Sequence, residues 1–428
     1  MRTLQKQKPP FTNLRHRHRN PFNRGTLAPD GGANKVDFRE NSPLWAATLR
    51  NLLAIGAGSG PVSRHRCTRA GAMASKSAIL RQMMRPYEGP RHRVVALGQS
   101  GAGQEVVASG QPIAGVDWED HLFEIGSITK VFTATLLSVM AEAGEVDPKA
   151  PLAEIDPALS VVPPWITPER LATHSSGLPR LHKPIWRVIL KPLPDDPYAD
   201  FSRADLLDWF DNWRGRVPGT PPRHAYSNIG MGLLGEALSM RCGTPYPELL
   251  AERVLSPLGL SDTVTYLSEA QRNRFSQPHD PKGRPVVPWT FQAIAGAGCL
   301  RSTPRDLARF AAHVCRAVRA PQSALDRALK EATAPRLGLG SKGAMEPRAQ
   351  CLGWFADRSA PDAPRIVHHN GGTAGSTSAL YLCPEREEAI VLLCNNGVIA
   401  NLWAGMKLER TNPLKQAERY FGVGQRSE

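Results

Sequence analysis

The sequence predicts an α/β (α+β) fold, an antiparallel sheet flanked by helices, with an all-helical lobe inserted between two sheet-forming stretches. Three observations carry this. RHRVVALGQSGAGQEVVASG, from residue 91, sets two β-rich runs around a Gly-rich turn; further strand-like runs crowd the tail from about residue 352; the stretch between, 145 to 284, is helix-like and rich in Pro. Strands from both chain ends with helices between them build one sheet beside a helical lobe, with a cleft at the junction.

The first 75 residues stand apart from this pattern. Residues 1–93 hold 18 Lys and Arg against 4 Asp and Glu, whereas the rest of the chain holds 35 against 35, so the net charge of +14 is local. RHRHRNPFNRG shows neither helical periodicity nor the spaced aromatics of a nucleic-acid groove. Residues 1–75 are therefore expected to be a disordered basic extension with no specific nucleic-acid partner, and Met73 would serve as a later start. The apolar stretch LWAATLRNLLAIGAGSG (44–60) is broken by Arg50 and follows a long polar leader, so no signal peptide is readable. No run of about 18 apolar residues predicts a transmembrane segment. The seven cysteines (Cys67, Cys242, Cys299, Cys315, Cys351, Cys383, Cys394) include no C-x-x-C pair. That speaks against a disulfide scaffold or zinc knuckle and for a reducing compartment.

Residues 76–421 are expected to form a single domain, its sheet lobe from about 91–144 and 285–421 and its helical lobe from about 145–284. A hairpin comes first. VFTATLLSVMAEAGEVD then reads as a helix with Val131, Phe132, Leu136, Val139 and Met140 on one buried stripe, ending near Gly144. FSRADLLDWFDNW, IGMGLLGEALSMRCG and YPELLAERVLSPLGL supply the helical lobe. LGWFAD, RIVHHNGG, TSALYLCP and AIVLLCNN return as strands, with PEREE as a turn and a final helical stretch over 399–420.

The chemistry starts from FEIGSITK (123–130). Lys130 stands in what reads as the first turn of a helix, where the partly positive end disfavours a cation by about 0.3–1 kcal/mol. Ser127, three residues earlier, shares its face, and a serine hydroxyl gains nucleophilicity from an amine that has lost its proton through burial or a nearby positive field. The helix terminus is expected to supply that field. In PGTPPRHAYSNIGMGLLGEAL (218–238), Tyr226 can relay protons and Asn228 can hold an amide carbonyl, while Ser227 or Asn228 can cap the following helix. In HHNGGTAGSTSALYL (368–382), glycines on a strand let another backbone or a ligand approach, and a free N–H there could join an oxyanion hole. No H-E-x-x-H or spaced Cys/His set suggests a metal, and no cofactor is implied.

S-x-x-K, then Y-x-N, then H-x-G, in this order, resembles the signature of penicillin-binding proteins and serine β-lactamases, in the form of class C β-lactamases, low-molecular-weight DD-peptidases and related esterases. LATHSSGLPRL (171–181), VLSPLGLSDT (254–263) and AGAGCLRSTPRDLARF (295–310) also look like segments of that family, so the resemblance spans roughly residues 78–398. It implies a β-lactamase/transpeptidase-like fold and a serine hydrolase working through an acyl-enzyme. Ser127 would be the nucleophile, Lys130 its partner, Tyr226 a general base or proton relay, and Asn228 the holder of the substrate amide. His369, Asn370 and Gly371 would be the third motif, with the N–H of Gly372 beside that of Ser127 for the oxyanion; His174 would fix the lobe junction.

The β-lactamases usually carry lysine where this chain has His369, and a histidine near pKa 6.5 gives only partial charge at neutral pH. The resemblance therefore leans towards a D-Ala-D-Ala carboxypeptidase or broad acyl hydrolase, with a class C-like β-lactamase or esterase as the alternative and a non-catalytic binding module as a further one. The implied partner is a small-molecule or peptide substrate: a peptidoglycan stem peptide, a β-lactam or an ester. The implied location is periplasmic or extracellular.

Overall fold

The computed structural model describes residues 75–101, 103–182, 196–220, 222–340, 344–345, 347–397 and 412–423. The basic extension up to residue 74, with Met73 and Cys67, lies outside them, as does the first part of the expected 399–420 helix.

Val94–Ser100 (β1) and Gly103–Ser109 (β2) form the expected hairpin, closing at Ser100 opposite Gly103. On its other edge β1 pairs antiparallel with the late strand Glu388–Cys394 (β10), Val94 facing Cys394. Phe123–Glu124 (β3) and Arg301–Ser302 (β4) pair as a separate short ribbon. The main sheet runs β2-β1-β10-β9-β8-β7-β6-β5, with Leu337–Gly338 (β5), Arg348–Gln350 (β6), Phe355–Asp357 (β7), Ile366–Gly372 (β8) and Thr377–Cys383 (β9). Every pairing is antiparallel, because short turns link β6 through β10 as a meander.

The central strands are apolar on both faces, and their period of two sorts side chains between two cores. Val95, Leu97, Leu380, Leu382, Val391 and Leu393 enter the inner core; Val94, Ala96, Tyr381, Cys383, Ile390 and Leu392 enter the outer one. Two terminal helices, Lys76–Met84 (α1) and Pro413–Phe421 (α10), cover the outer face with Leu80, Met84, Tyr420 and Phe421.

On the inner side lie Thr129–Glu142 (α2), Pro168–Ala172 (α3), Arg203–Asn212 (α4), Asn228–Cys242 (α5), Tyr246–Leu250 (α6) and Glu269–Arg272 (α7). Two more, Pro304–Arg319 (α8) and Ala324–Ala332 (α9), add to the expected set inside the stretch assigned to the sheet lobe. α8 packs on β10, β1 and β9, and α9 packs on α2. Thr303 caps α8 through the N–H of Asp306, with Pro304 in the first turn.

The single stripe expected for α2 is corrected by its position. The helix is enclosed by α9, α5 and the turns at 251–255 and 295–297, so every residue from Thr129 to Ser138 is buried. Its threonines tolerate this because their hydroxyls find carbonyls: Thr133 donates to Thr129 and Gly296, Thr135 to Val131. Phe132 stacks on Phe310 of α8 with ring centres 4.3 Å apart. Truncating such a residue to alanine costs about 3–5 kcal/mol, so the helix carrying Lys130 is a rigid platform. Among the described residues, no helix is long and apolar enough to cross a membrane.

Candidate active site

Ser127 stands two residues before α2. Gly126–Ile128 forms a 3₁₀ turn and the α-helix starts at Thr129, a correction to the expectation that Ser127 opens the helix. The i to i+3 relation survives, because a 3₁₀ turn also stacks residues three apart. The turn is pinned from two sides: the N–H of Ile125 bonds the carbonyl of Leu300 at 3.1 Å, and its carbonyl accepts from the Ser378 hydroxyl at 2.7 Å.

Lys130 Nζ lies 2.9 Å from Ser127 Oγ and 2.6 Å from the carbonyl of Ala297. The side chain is fully buried. Burial first, then Arg180, holds the amine well below the ordinary lysine range.

Tyr226 hydrogen-bonds the Ser127 side chain, and Lys130 Nζ sits 5.0 Å from its ring centre. Burial pushes the phenol up to about 12 against the opposing pull of that hydrogen bond and of Arg180. The tyrosine is set by His174, whose ring packs 4.4 Å from its own. His174 adopts φ +54°, its carbonyl accepts from Ala225 N at 2.7 Å, and its Nδ1 accepts from Ser227 N at 3.3 Å. The imidazole, held neutral by burial, clamps both residues that flank Tyr226.

The two candidates for capping α5 divide the work. Ser227 is the cap, accepting from Gly230 N at 2.9 Å and donating to the Pro179 carbonyl at 2.7 Å. Asn228 is left available: its Nδ2 donates to the Tyr198 hydroxyl at 3.1 Å, while its buried Oδ1 has no partner.

On β8, alternation separates neighbours in the third motif. His369 turns inward, its ring 6.3 Å from that of Tyr226, and its Nδ1–H donates to the Asn370 carbonyl at 2.7 Å. Its Nε2 is buried without a partner. Burial, then Lys130, pushes its pKa down to about 3, so the partial charge expected at neutral pH is absent. Asn370 turns to the outer face and bonds Tyr381, which belongs to the core under α1 and α10. Its side chain is therefore not in the site, a correction that follows from the strand's period of two.

The glycines do what close approach requires. A Cβ on Gly371 would collide with the Ile125 carbonyl and the Ser378 hydroxyl and stand 3.0 Å from Ser127 N. Gly126 has φ +48°, and a Cβ there would lie 2.7 Å from Gly372 N. The turn before α2 and the end of β8 thus run backbone to backbone.

A cavity of about 200 Å³ opens at this junction, lined by Ser127, Asn228, Gly372, Arg180, Leu181 and Pro197, with Tyr198, Trp289 and Phe291 as an aromatic wall. Tyr198 stacks on Phe291 at 5.2 Å and meets Trp289 edge-on at 5.5 Å. A larger cavity, about 410 Å³, lies on the outer face between Met83, Tyr87 and Tyr381, away from Ser127. Arg180, Ala297 and the aromatic wall were not singled out in the sequence; LATHSSGLPRL contains Arg180, but only the folded loop turns it towards Tyr226, with 5.3 Å from its guanidinium carbon to the ring centre.

The sequence model of the beta-lactamase family matches residues 80–401, three quarters of the chain. The chain belongs to the beta-lactamase family. It is 28% identical over 283 residues to a D-alanyl-D-alanine-carboxypeptidase/endopeptidase of Escherichia coli (strain K12), AmpH, covering 62% of this chain and 69% of that protein. It is 27% identical over 313 residues to penicillin-binding protein 4 of Amycolatopsis lactamdurans, covering 69% and 77%. The crystal structure of a beta-lactamase/D-alanine carboxypeptidase from Pseudomonas syringae shares the fold with a TM-score of 0.65 at 21% identity, over 82% of this chain and all of that one. Family and relatives together put the chain among serine hydrolases of the β-lactamase and DD-peptidase kind.

Proposed function

We propose that the protein is a serine hydrolase that forms an acyl-enzyme on Ser127, most closely of the D-Ala-D-Ala carboxypeptidase type. One observation carries this reading: a fully buried, deprotonation-prone amine stands 2.9 Å from a serine hydroxyl at the edge of a cavity. With Lys130 neutral and donating to Ala297, its lone pair takes the Ser127 proton as Oγ attacks the substrate carbonyl. The tetrahedral oxygen gains its negative charge beside the N–H groups of Ser127 and Gly372. Collapse expels the amine or alkoxide, which recovers the proton through the Tyr226 hydroxyl. Water then adds to the acyl-enzyme by the same route, releasing the acid and restoring Ser127. Tyr226, held neutral with its pKa near 12, suits relay better than initial base. Asn228 has a free Oδ1 for a substrate N–H, and its amide is steered by Tyr198.

The name of AmpH supports the peptidase subclass, while other relatives carry the name beta-lactamase; His369, in place of the lysine usual in β-lactamases, carries no charge at neutral pH, which favours the peptidase reading. The basic segment ahead of residue 76 is dispensable in this reading; a chain lacking residues 1–72 keeps its activity.

Mass spectrometry after incubation with a fluorescent penicillin and with an activated ester tests the central claim. A mass gain on Ser127, lost in Ser127→Ala, supports it; no adduct with either reagent sinks it. Rates on nitrocefin, a D-Ala-D-Ala peptide and p-nitrophenyl esters then rank the subclasses.

A further inference from the structure

Among the described residues that line the cavity beside Ser127, Arg180 is the only charged one. It is solvent-exposed, and among the described residues it makes no ion pair. Its backbone is nonetheless fixed, because its carbonyl accepts from Asn228 N at 3.0 Å and the preceding Pro179 carbonyl accepts from Ser227 Oγ at 2.7 Å. The cation is thus tied to the same two residues that open α5, and its guanidinium carbon stands 5.3 Å from the ring centre of Tyr226.

The other basic side chains described at the junction offer no comparable charge. Lys130 is buried behind Ser127 and engaged with Ala297. His369 is 2% exposed and His174 fully buried, each with one ring nitrogen engaged and the other sealed from solvent. Among the described residues, an anionic substrate group entering this cavity therefore meets one cation, and that cation is a planar fork suited to bidentate recognition of a carboxylate. The opposite wall, Tyr198, Trp289 and Phe291, suits an apolar or aromatic group.

We propose that Arg180, a few residues after α3, is the charge-selecting residue of this enzyme, and that its substrates pair a carboxylate near the scissile carbonyl with an aromatic or apolar acyl group. The inference rests on the acyl-enzyme reading above and assigns the anion contact to a loop far in sequence from the strand that carries His369. The contact is made to substrate on both sides of the reaction, so its signature is selectivity between substrates.

A matched pair of esters tests it: m-carboxyphenyl phenylacetate and its neutral m-carbamoylphenyl counterpart, compared by kcat/KM. The wild-type protein prefers the anionic ester by about 10- to 100-fold, the range for a hydrogen bond to a charged group. Arg180→Gln brings the ratio close to one, Arg180→Glu inverts it, and Arg180→Lys keeps part of it. A ratio that survives in Arg180→Gln overturns the proposal, including the case where both rates fall together, as a merely structural role requires. If that variant does not fold, the wild-type ratio decides, and a value at or below one overturns the proposal. A Ser127 adduct without charge preference overturns this inference alone, whereas no adduct with either ester removes the acyl-enzyme reading beneath it.

Discussion

The amine of Lys130 donates to the carbonyl of Ala297 at 2.6 Å, and among the described residues no carboxylate shares its site. A lone buried amine is poor for stability, since desolvation is only partly offset by two hydrogen bonds. Replacing it with an apolar side chain of similar shape should separate folding from chemistry. Lys130→Met lowers acylation by about 10²- to 10⁴-fold, the usual worth of a general base. The same change raises unfolding free energy by ~1–2 kcal/mol, as relief of a functional compromise does. Stopped-flow acylation and urea unfolding on one preparation check both, and a variant both inactive and clearly less stable contradicts this account.

The pH profile follows from the same burial. Acylation needs the neutral amine, so its rate rises with pH through the Lys130 pKa, which lies well below the free-lysine value of about 10.4. The rising limb of acylation should be complete before pH 10. A limb centred near 10 would falsify the assignment of Lys130 as base.

His369 makes a separate statement about stability. Its folded pKa, about 3, is below the unfolded value of about 6.5, so between these values the unfolded chain binds the extra proton. The contribution is present above pH 6.5 and is lost as pH falls towards 3. Melting temperature measured from pH 7 down to 4 should decline less steeply in His369→Gln than in the wild type. Parallel curves would refute it.

Gly371→Ala tests the backbone contact. The new methyl has no room against Ile125 and Ser378, so β8 must move away from the Ser127 turn. Loss of a well-placed oxyanion donor costs about 10²- to 10³-fold in kcat, and the overpacking costs about 1–3 kcal/mol in stability. Near-normal turnover in this variant would argue against a donor on this strand.

Asn228 and Asn370 make a contrasting pair. Asn228→Ala should lower kcat/KM on amide substrates, because its Oδ1 is held free beside the cavity. Asn370→Ala removes a bond to Tyr381 on the far face and should cost only about 0.5–1.5 kcal/mol of stability, with kcat/KM near the wild-type value. Equal losses of activity in both would contradict the face assignment.

Much of this was legible in residues 123–130 and 226–228, where spacing alone puts functional groups on one side of a short turn. The strands around His369 were equally clear as strands. Asn370 was misplaced because a motif is written as consecutive letters while a strand alternates its side chains. The charge on His369 could not be read, since burial dominates it and burial belongs to the tertiary structure. The stripe on α2 failed for a related reason: Thr133 and Thr135 look polar in sequence, yet their hydroxyls are satisfied by carbonyls inside the core. Arg180 escaped notice because nothing local distinguishes it from other surface arginines.

The bond between the Ser378 hydroxyl and the Ile125 carbonyl spans 253 residues, and β1 waits still longer for β10. Contacts so distant along the chain form slowly, since the loop between them must close before any pairing rewards it. During synthesis the S-x-x-K turn emerges early and the strands that pin it emerge late. A nascent chain can therefore hold Ser127 and Lys130 for much of its elongation with no organised oxyanion site, and competence to acylate arrives with the last strands. Reactivity towards an acylating probe would then report completed folding of this domain.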